Sequence, residues 1–155
     1  LILKKIKNGQ KIMVCGNGGS ASDAQHISTE LTVRLKKNRA ALPALALTTD
    51  TSALTAIGND FNFSKIFSRQ IEAVGKKGDI LLAISTSGNS QNIIEALKTS
   101  KEKKIFTFGL LGNKGGKCKK YCDDYFIVND SSPSRIQEIH ILFYHAFCEL
   151  VENEF

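Results

Sequence analysis

Residue types that carry acid–base or metal chemistry occur at helical spacing in two stretches of this 155-residue chain. His26 and Glu30 are four residues apart, so a helix places them on one face. Gln137 and His145 are eight residues apart, about 80° around a helix, so one broad face can present both. By spacing alone, His140 competes with His145. Such a set divides acid and base roles or holds a divalent ion such as zinc, whereas a surface or core histidine is the plain alternative.

Two loops rich in glycine and serine point to phosphate binding. The first, from Gly16 to Ser20, reads Gly-Asn-Gly-Gly-Ser, and the second, from Ser85 to Ser90, reads Ser-Thr-Ser-Gly-Asn-Ser. Glycine lets the backbone approach a ligand closely, and the start of the following helix favours an anion. Neither a Walker A loop nor the complete dinucleotide fingerprint is present, so we expect no nucleotide cofactor. The pair of loops predicts a phosphate-binding site.

Short apolar runs alternate with helix-like stretches and would position these groups. Strands are predicted at 11–15, 44–47, 79–84, 105–109 and 125–128, and helices at 20–35, 89–101 and 134–154. Because the strands lack polar alternation, they indicate a parallel sheet covered on both faces. The pattern predicts an α/β fold, a three-layer α/β/α sandwich of the doubly wound Rossmann or flavodoxin-like type with five parallel strands. Asp23 is expected in the first turn of its helix, where a carboxylate is favourable.

Composition fits one globular domain over residues 1–155, with 42% hydrophobic and 23% charged residues. The net charge of +6 comes from scattered lysine clusters, which favours a solvated surface over nucleic-acid binding. No apolar run approaches the roughly 20 residues of a membrane span, and no signal peptide is recognised, so we expect no membrane partner and a cytoplasmic protein. The four cysteines match no zinc or redox spacing and are expected as free thiols. Because the chain lacks an initiator Met, we expect either a fragment or a processed or trimmed form of a longer chain.

Several segments resemble motifs of the sugar isomerase (SIS) domain family, and within it the phosphoheptose isomerases. They are 16–20, Asp23-Ala24-Gln25-His26, Glu30-Leu31-Thr32, Gly58-Asn59-Asp60-Phe61, Ile66-Phe67-Ser68-Arg69, 78–82, 85–90 and 135–140. The resemblance covers nearly the whole chain in the same order. It implies a five-stranded parallel sheet and a homotetramer with active sites at subunit interfaces. It also implies isomerisation of sedoheptulose 7-phosphate to D-glycero-D-manno-heptose 7-phosphate, toward activated heptose for lipopolysaccharide or capsule.

The same resemblance assigns roles to individual residues. Glu30 corresponds to the general base that moves a proton between C1 and C2 through an enediol, and His145 corresponds to the general acid. His26, Glu30, Gln137 and His145 match the ligands of one zinc ion per subunit. The matching substrate contacts are Asn17, Gly18, Gly19, Ser20, His26, Glu30, Asn59, Asp60, Ser85, Thr86, Ser87, Ser90 and Gln137. The family register thus selects His145 over His140.

Two departures from the family pattern accompany this match. Many members carry a helix before the first strand, and only its tail, Leu1 to Asn8, is expected here, which affects tetramer assembly. Some relatives have Asp where this chain has Ser134, so a carboxylate proposed to assist catalysis is missing. The alternative function is a non-catalytic SIS-domain protein that binds phosphosugars or associates with a replication initiator. Initiator-associating relatives lack the residues matching Glu30 and His145, so both residues favour an isomerase.

Overall fold

A five-stranded parallel sheet forms the centre of the computed structural model, which describes residues 1–155. The strands are β1 (Ile12–Cys15), β2 (Ala44–Ala46), β3 (Ile80–Ser85), β4 (Phe106–Gly112) and β5 (Asp124–Val128). Their order is β2-β1-β3-β4-β5, and every neighbouring pair is parallel. The chain therefore winds outward in opposite directions from β1 and β3. In such sheets, ligands bind beside the carboxyl ends of the strands at this switch point.

Six α-helices connect and cover the strands. They are α1 (Ile2–Lys7), α2 (Gly19–Thr32), α3 (Thr51–Asp60), α4 (Ser68–Val74), α5 (Gln91–Glu102) and α6 (Pro133–Glu152), with short 3₁₀ turns at 63–65, 113–115 and 118–121. Pro133 begins α6, where its fixed φ suits the first helical position and its missing N–H is not needed. Asp50 caps α3 by accepting a hydrogen bond from the amide of Ala53 at 2.9 Å. None of these helices combines the length and apolar character needed to cross a membrane.

The sheet separates two apolar cores, which makes the fold a three-layer sandwich. Along β1, Ile12 and Val14 join the core that α2 and α6 cover, whereas Met13 and Cys15 join the core under α4 and α5. Since successive side chains of a strand point to opposite faces, a strand covered on both sides reads as a continuous apolar run. The predicted parallel sheet and three-layer fold are confirmed.

Helices α2 and α6 run side by side in the same direction. Near their starts, a Cβ placed on Gly19 would lie 2.6 Å from Nε2 of Gln137. Near their ends, the buried carboxylate of Glu152 accepts hydrogen bonds from the amides of Leu35, Lys36 and Lys37 at 2.9, 2.8 and 3.0 Å. These contacts fix the register of the two helices, so a residue on α2 faces a definite residue on α6.

Some element boundaries and two helices differ from the sequence predictions. Strand β4 continues past the predicted end at residue 109 to Gly112, and α2 ends at Thr32 rather than at residue 35. Helices α3 and α4 were not predicted. Helix α3 has no buried residue and therefore no apolar face to mark it. Asp23 lies in the second turn of α2 and is buried, so the expectation of a first-turn carboxylate is wrong.

Candidate active site

The two glycine- and serine-rich loops lie next to each other, because they follow the neighbouring strands β1 and β3. Gly18 has a φ of 55° and Gly88 a φ of 65°, which other residues rarely adopt. Neither α2 nor α5 has a side-chain cap at its start, so the free N–H groups of both helices face the loop region. This arrangement attracts an anion at the switch point of the sheet.

Hydroxyl groups in the second loop form a small cluster around Ser85. Its Oγ lies 3.5 Å from Oγ of Ser87 and 3.3 Å from Oγ of Ser90, and it accepts a hydrogen bond from the amide of Gly88 at 3.1 Å. Thr86 lies between them, with its carbonyl oxygen packed against Gly112 at the end of β4. The loop therefore holds several donors in place before any ligand arrives.

A reciprocal amide pair connects the first loop to α5. Asn17 donates from Nδ2 to Oδ1 of Asn92 at 2.9 Å, and Asn92 donates back to Oδ1 of Asn17 at 2.7 Å. Asn92 is only 2% exposed, so this pair is shielded from competition by water. It fixes the two loops relative to one another.

A second polar cluster lies between α2 and α6, and we name its three residues, His26, Glu30 and His145, the helix-pair site. Nε2 of His26 lies 2.9 Å from Oε1 of Glu30, and the rings of His26 and His145 are 5.0 Å apart. The ligand atoms of all three side chains lie within 4.8 Å of one another. The fold thus brings together the predicted base, the predicted acid and three of the four predicted zinc ligands.

Tyr144 and Asp23 support this cluster from the core side. The Tyr144 hydroxyl lies 3.0 Å from Nδ1 of His26, and it also interacts with the Asp23 carboxyl. Burial, reinforced by the nearby Asp23, raises the pKa of Tyr144 well above its usual range, so the hydroxyl keeps its proton. Burial likewise raises the pKa of Asp23, and a hydrogen bond from Tyr144 opposes this only in part.

The two histidines of α6 have different surroundings. His140 is fully buried, and its Nε2–H donates to the carbonyl oxygen of Leu111 at 3.2 Å. Burial lowers the pKa of His140, and the hydrogen bond to Leu111 opposes the shift. His145 is only partly buried and lies in the helix-pair site. The structure thus places His145, and not His140, beside His26 and Glu30.

Other predicted site residues lie elsewhere in the chain. Gln137 packs against Gly19, about 12 Å from His145 at the helix rise of 1.5 Å per residue. Asn59 and Asp60 are exposed at the end of α3 and bond to each other at 2.8 Å. Asp60 lines a hollow that it shares with Arg69, separate from the hollow beside the first loop. Ser134 is exposed near the start of α6, with its Oγ 3.0 Å from that of Ser132.

Sequence reasoning missed two residues with structural roles near the site. Tyr144 has a signal in retrospect, because it follows His140 by four residues and so shares the buried face of α6. Asn92 has no such signal, because its partner Asn17 is 75 residues away.

The fold and the two clusters define a phosphosugar isomerase domain, and comparison with known proteins agrees. The SIS domain pattern matches residues 1–112, so the chain belongs to the SIS domain family. The phosphoheptose isomerase of Aliarcobacter butzleri is 53% identical over 154 residues, which is 99% of this chain and 82% of that protein. That of Campylobacter concisus is 52% identical over 155 residues, all of this chain and 82% of that protein. The solved phosphoheptose isomerase of Neisseria gonorrhoeae superposes with a TM-score of 0.91 at 47% identity, covering 97% of this chain and 80% of that one. Within the SIS family, the chain therefore belongs to the phosphoheptose isomerases, which are aldose–ketose isomerases.

Proposed function

We propose that this protein converts sedoheptulose 7-phosphate to D-glycero-D-manno-heptose 7-phosphate through an enediol, supplying heptose precursors for lipopolysaccharide or capsule. The observation that supports it best is the helix-pair site, where a carboxylate and two histidines meet on the fold of a phosphosugar isomerase. A ketose and an aldose differ by one proton shift between C1 and C2, with matching proton transfers on the oxygens. A carboxylate base and a histidine acid suffice for those transfers.

In this proposal Glu30 carries the proton between the two carbons. Its Oε1 faces His26 at 2.9 Å, which leaves Oε2 to take the proton from the substrate. His145 donates to the carbonyl oxygen as the enediol forms and recovers a proton as it collapses. Since the side chain of Glu30 is only 15% exposed, little water competes for the proton while it is held.

The phosphate of the substrate would bind in the two loops. Amides at the starts of α2 and α5 and the hydroxyls of Ser85, Ser87 and Ser90 donate to its oxygens, while Asn17 is held by Asn92. These neutral donors stabilise the dianion together with the positive ends of two helix dipoles. Asn59, Asp60 and Gln137 remain proposed contacts to the substrate.

A divalent ion, most suitably zinc, would be held by His26, Glu30 and His145. Tetrahedral zinc with bonds of about 2.0–2.1 Å needs ligand atoms roughly 3.4 Å apart. The three side chains offer atoms within 4.8 Å, so small rotations satisfy this requirement. These three ligands leave a fourth position, which the predicted ligand Gln137 or the substrate would take. When bound, the ion would supply positive charge to stabilise a developing oxyanion.

The separation of the two clusters supports an active site shared between subunits of a homotetramer. Glu30 lies ten residues beyond the first loop, about 15 Å along α2, and Gln137 and His145 are about 12 Å apart along α6. A heptose 7-phosphate spans about 10 Å from C1 to phosphorus at the roughly 1.2 Å per bond of an extended chain. We therefore propose that the loops of one subunit hold a substrate whose reacting end meets the helix-pair site of another. Gln137 would join the zinc ligands in the same way, from a neighbouring subunit.

The proposal is tested by turnover of sedoheptulose 7-phosphate, followed by NMR, with the metal removed by a chelator and then restored as zinc. Glu30→Gln is expected to lower kcat by about 10²–10⁴, because the amide cannot accept the proton. Glu149→Gln is the matched control, since this exposed carboxylate on α6 pairs with Lys36 outside the site. Full activity of Glu30→Gln would contradict the assignment of the base. Equal rates with and without zinc would contradict the catalytic metal.

A non-catalytic phosphosugar-binding protein, or one that associates with a replication initiator, is the alternative function. It predicts binding of the phosphosugar by the loops with no turnover under any metal condition. The helix-pair site favours the enzyme, because a protein that only binds phosphate has no use for a base about 15 Å along α2 from the loops.

A further inference from the structure

The Tyr144 hydroxyl connects the helix-pair site to a buried carboxylate. It lies 3.0 Å from Nδ1 of His26 and beside the carboxyl of Asp23. Tyr144 is 1% exposed and Asp23 6% exposed. Oδ2 of Asp23 has no hydrogen-bond partner within the chain. The hydroxyl lies between a proposed metal ligand and a carboxylate whose Oδ2 lacks a donor. These neighbours restrict where the protons of Tyr144 and His26 can lie.

The hydroxyl has one proton to donate, so two arrangements exist when the His26 ring is neutral. If Tyr144 donates to Nδ1 of His26, then Nε2 carries the ring proton and donates to Glu30. The Asp23 carboxyl, whose Oδ2 already lacks a partner, then receives no donor from Tyr144 either, which is costly in the core. If Tyr144 donates to Asp23 instead, it accepts a hydrogen bond from Nδ1–H of His26.

The second arrangement has a consequence on the other side of the ring. Nε2 of His26 then presents a lone pair to Oε1 of Glu30 across 2.9 Å, so two acceptors face each other. They repel unless a proton or a metal cation lies between them. The ligand atom of His145 lies within 4.8 Å of both, so a divalent ion has three ligands at this point.

We propose that Tyr144 is a positioning residue that, by donating to Asp23 and accepting from His26, fixes the Nε2 lone pair of His26 on a divalent cation shared with Glu30 and His145. The inference rests on the proposed metal site and adds Asp23 and Tyr144 to it. Ligating histidines commonly donate their second N–H to such a partner, which fixes the ring and raises its basicity. Here a tyrosine relays that interaction to the carboxylate.

Zinc affinity of the full chain, measured by competition with a chromogenic chelator, tests this role. Tyr144→Phe keeps the buried ring and removes only the hydroxyl, and we expect zinc to bind about 10- to 100-fold more weakly. Asp23→Asn still accepts from Tyr144 but without its charge, so we expect a smaller loss. Thr107→Val is the matched control, because it removes a buried hydroxyl bonded to Asp123 in another part of the fold. It should lower stability and leave zinc affinity unchanged.

The tautomer of His26 gives a second readout that a purely structural role of Tyr144 would not change. With three histidines in the chain, a long-range ¹H–¹⁵N spectrum resolves each ring, and His26→Gln assigns the relevant signals. The zinc-loaded protein should carry its proton on Nδ1 of His26, and Tyr144→Phe should make that proton exchange faster with water. Unchanged zinc affinity in Tyr144→Phe, or zinc bound to Nδ1, overturns this inference alone. Failure of the unchanged chain to bind zinc overturns the inference together with the metal site, and the turnover assay then judges the reaction separately.

Discussion

The two loops and the helix-pair site hold their polar groups in different ways. In the loops, backbone geometry holds the polar groups in place. Gly88 and Gly112 pack against carbonyl oxygens, and the serine hydroxyls bond to one another. In the helix-pair site, three titratable side chains project from two helices and meet with few partners besides themselves and Tyr144. The loop donors are held by the fold itself, whereas the side chains of the helix-pair site mainly face one another.

This difference separates binding from chemistry. In the proposed mechanism the loops bind a phosphate that is the same in substrate and product, so their contacts stabilise ground and transition states alike. In the same proposal the helix-pair site acts on the end of the sugar where protons move, so its contacts change along the reaction. Substitutions in the two regions should therefore have distinct kinetic effects, with KM responding to the loops and kcat to the helix-pair site.

The largest effect is expected from His145→Ala. The substitution removes the proposed acid and one ligand of the proposed cation, so kcat should fall by about 10²–10⁴. KM should change little, because the loops are untouched. Steady-state kinetics with sedoheptulose 7-phosphate measures both constants. His140→Gln is the control on the same helix and should react near the rate of the unchanged chain. If His145→Ala changed only KM and left kcat unaltered, the distinction between the two regions would be wrong.

A smaller effect, on KM, is expected from Gly112→Ala. A Cβ at this position would overlap the carbonyl oxygen of Thr86 and lie 2.5 Å from Cδ1 of Ile136, so the second loop must shift. Losing one hydrogen bond to a charged phosphate costs about 1.5 kcal/mol or more, which corresponds to at least about a tenfold rise in KM. The same kinetic assay measures it.

Gly109→Ala provides the matched control for that loop substitution. It lies on the same strand, and its Cβ would lie 2.7 Å from Sγ of Cys122, on the side of the sheet away from the helix-pair site. We expect reduced stability and an unchanged KM. Equal rises of KM in both variants would mean that β4, rather than the loop, controls binding.

The loops were easier to predict from the sequence than the helix-pair site. Gly18 and Ser85 lie in short contiguous motifs that directly follow apolar strands, so local composition was enough to locate them. The helix-pair site depends on the phase of α6 relative to α2. Spacing alone left His140 and His145 open, although His140 lies four residues from both Ile136 and Tyr144, on the buried face. Only the packing of the two helices, or a family resemblance, provides that phase.

Long-range pairs were beyond the sequence altogether. Asn17 and Asn92 bond across 75 residues, and Tyr144 reaches His26 across 118. No local period encodes either contact. The separation of Gln137 from His145 was also not foreseen, because an angular argument places both on one face without considering the rise between them.

The smallest expected effect is a change in the pH dependence of stability. It involves His140, which lies on α6 but outside the helix-pair site. Because burial lowers the pKa of His140, the folded protein holds this ring neutral while the unfolded chain protonates it near its usual pKa of about 6.5. The unfolded state then binds more protons, so stability should fall as the pH drops below about 6.5. His140→Gln can keep the hydrogen bond to Leu111 but cannot titrate, so its loss of stability in acid should be shallower.

Urea unfolding at pH 7.5, 6.5 and 5.5 in the presence of a chelator measures this slope without the contribution of metal binding. Parallel slopes for the two proteins would mean that His140 does not couple protonation to folding, and that the acid response belongs to other groups.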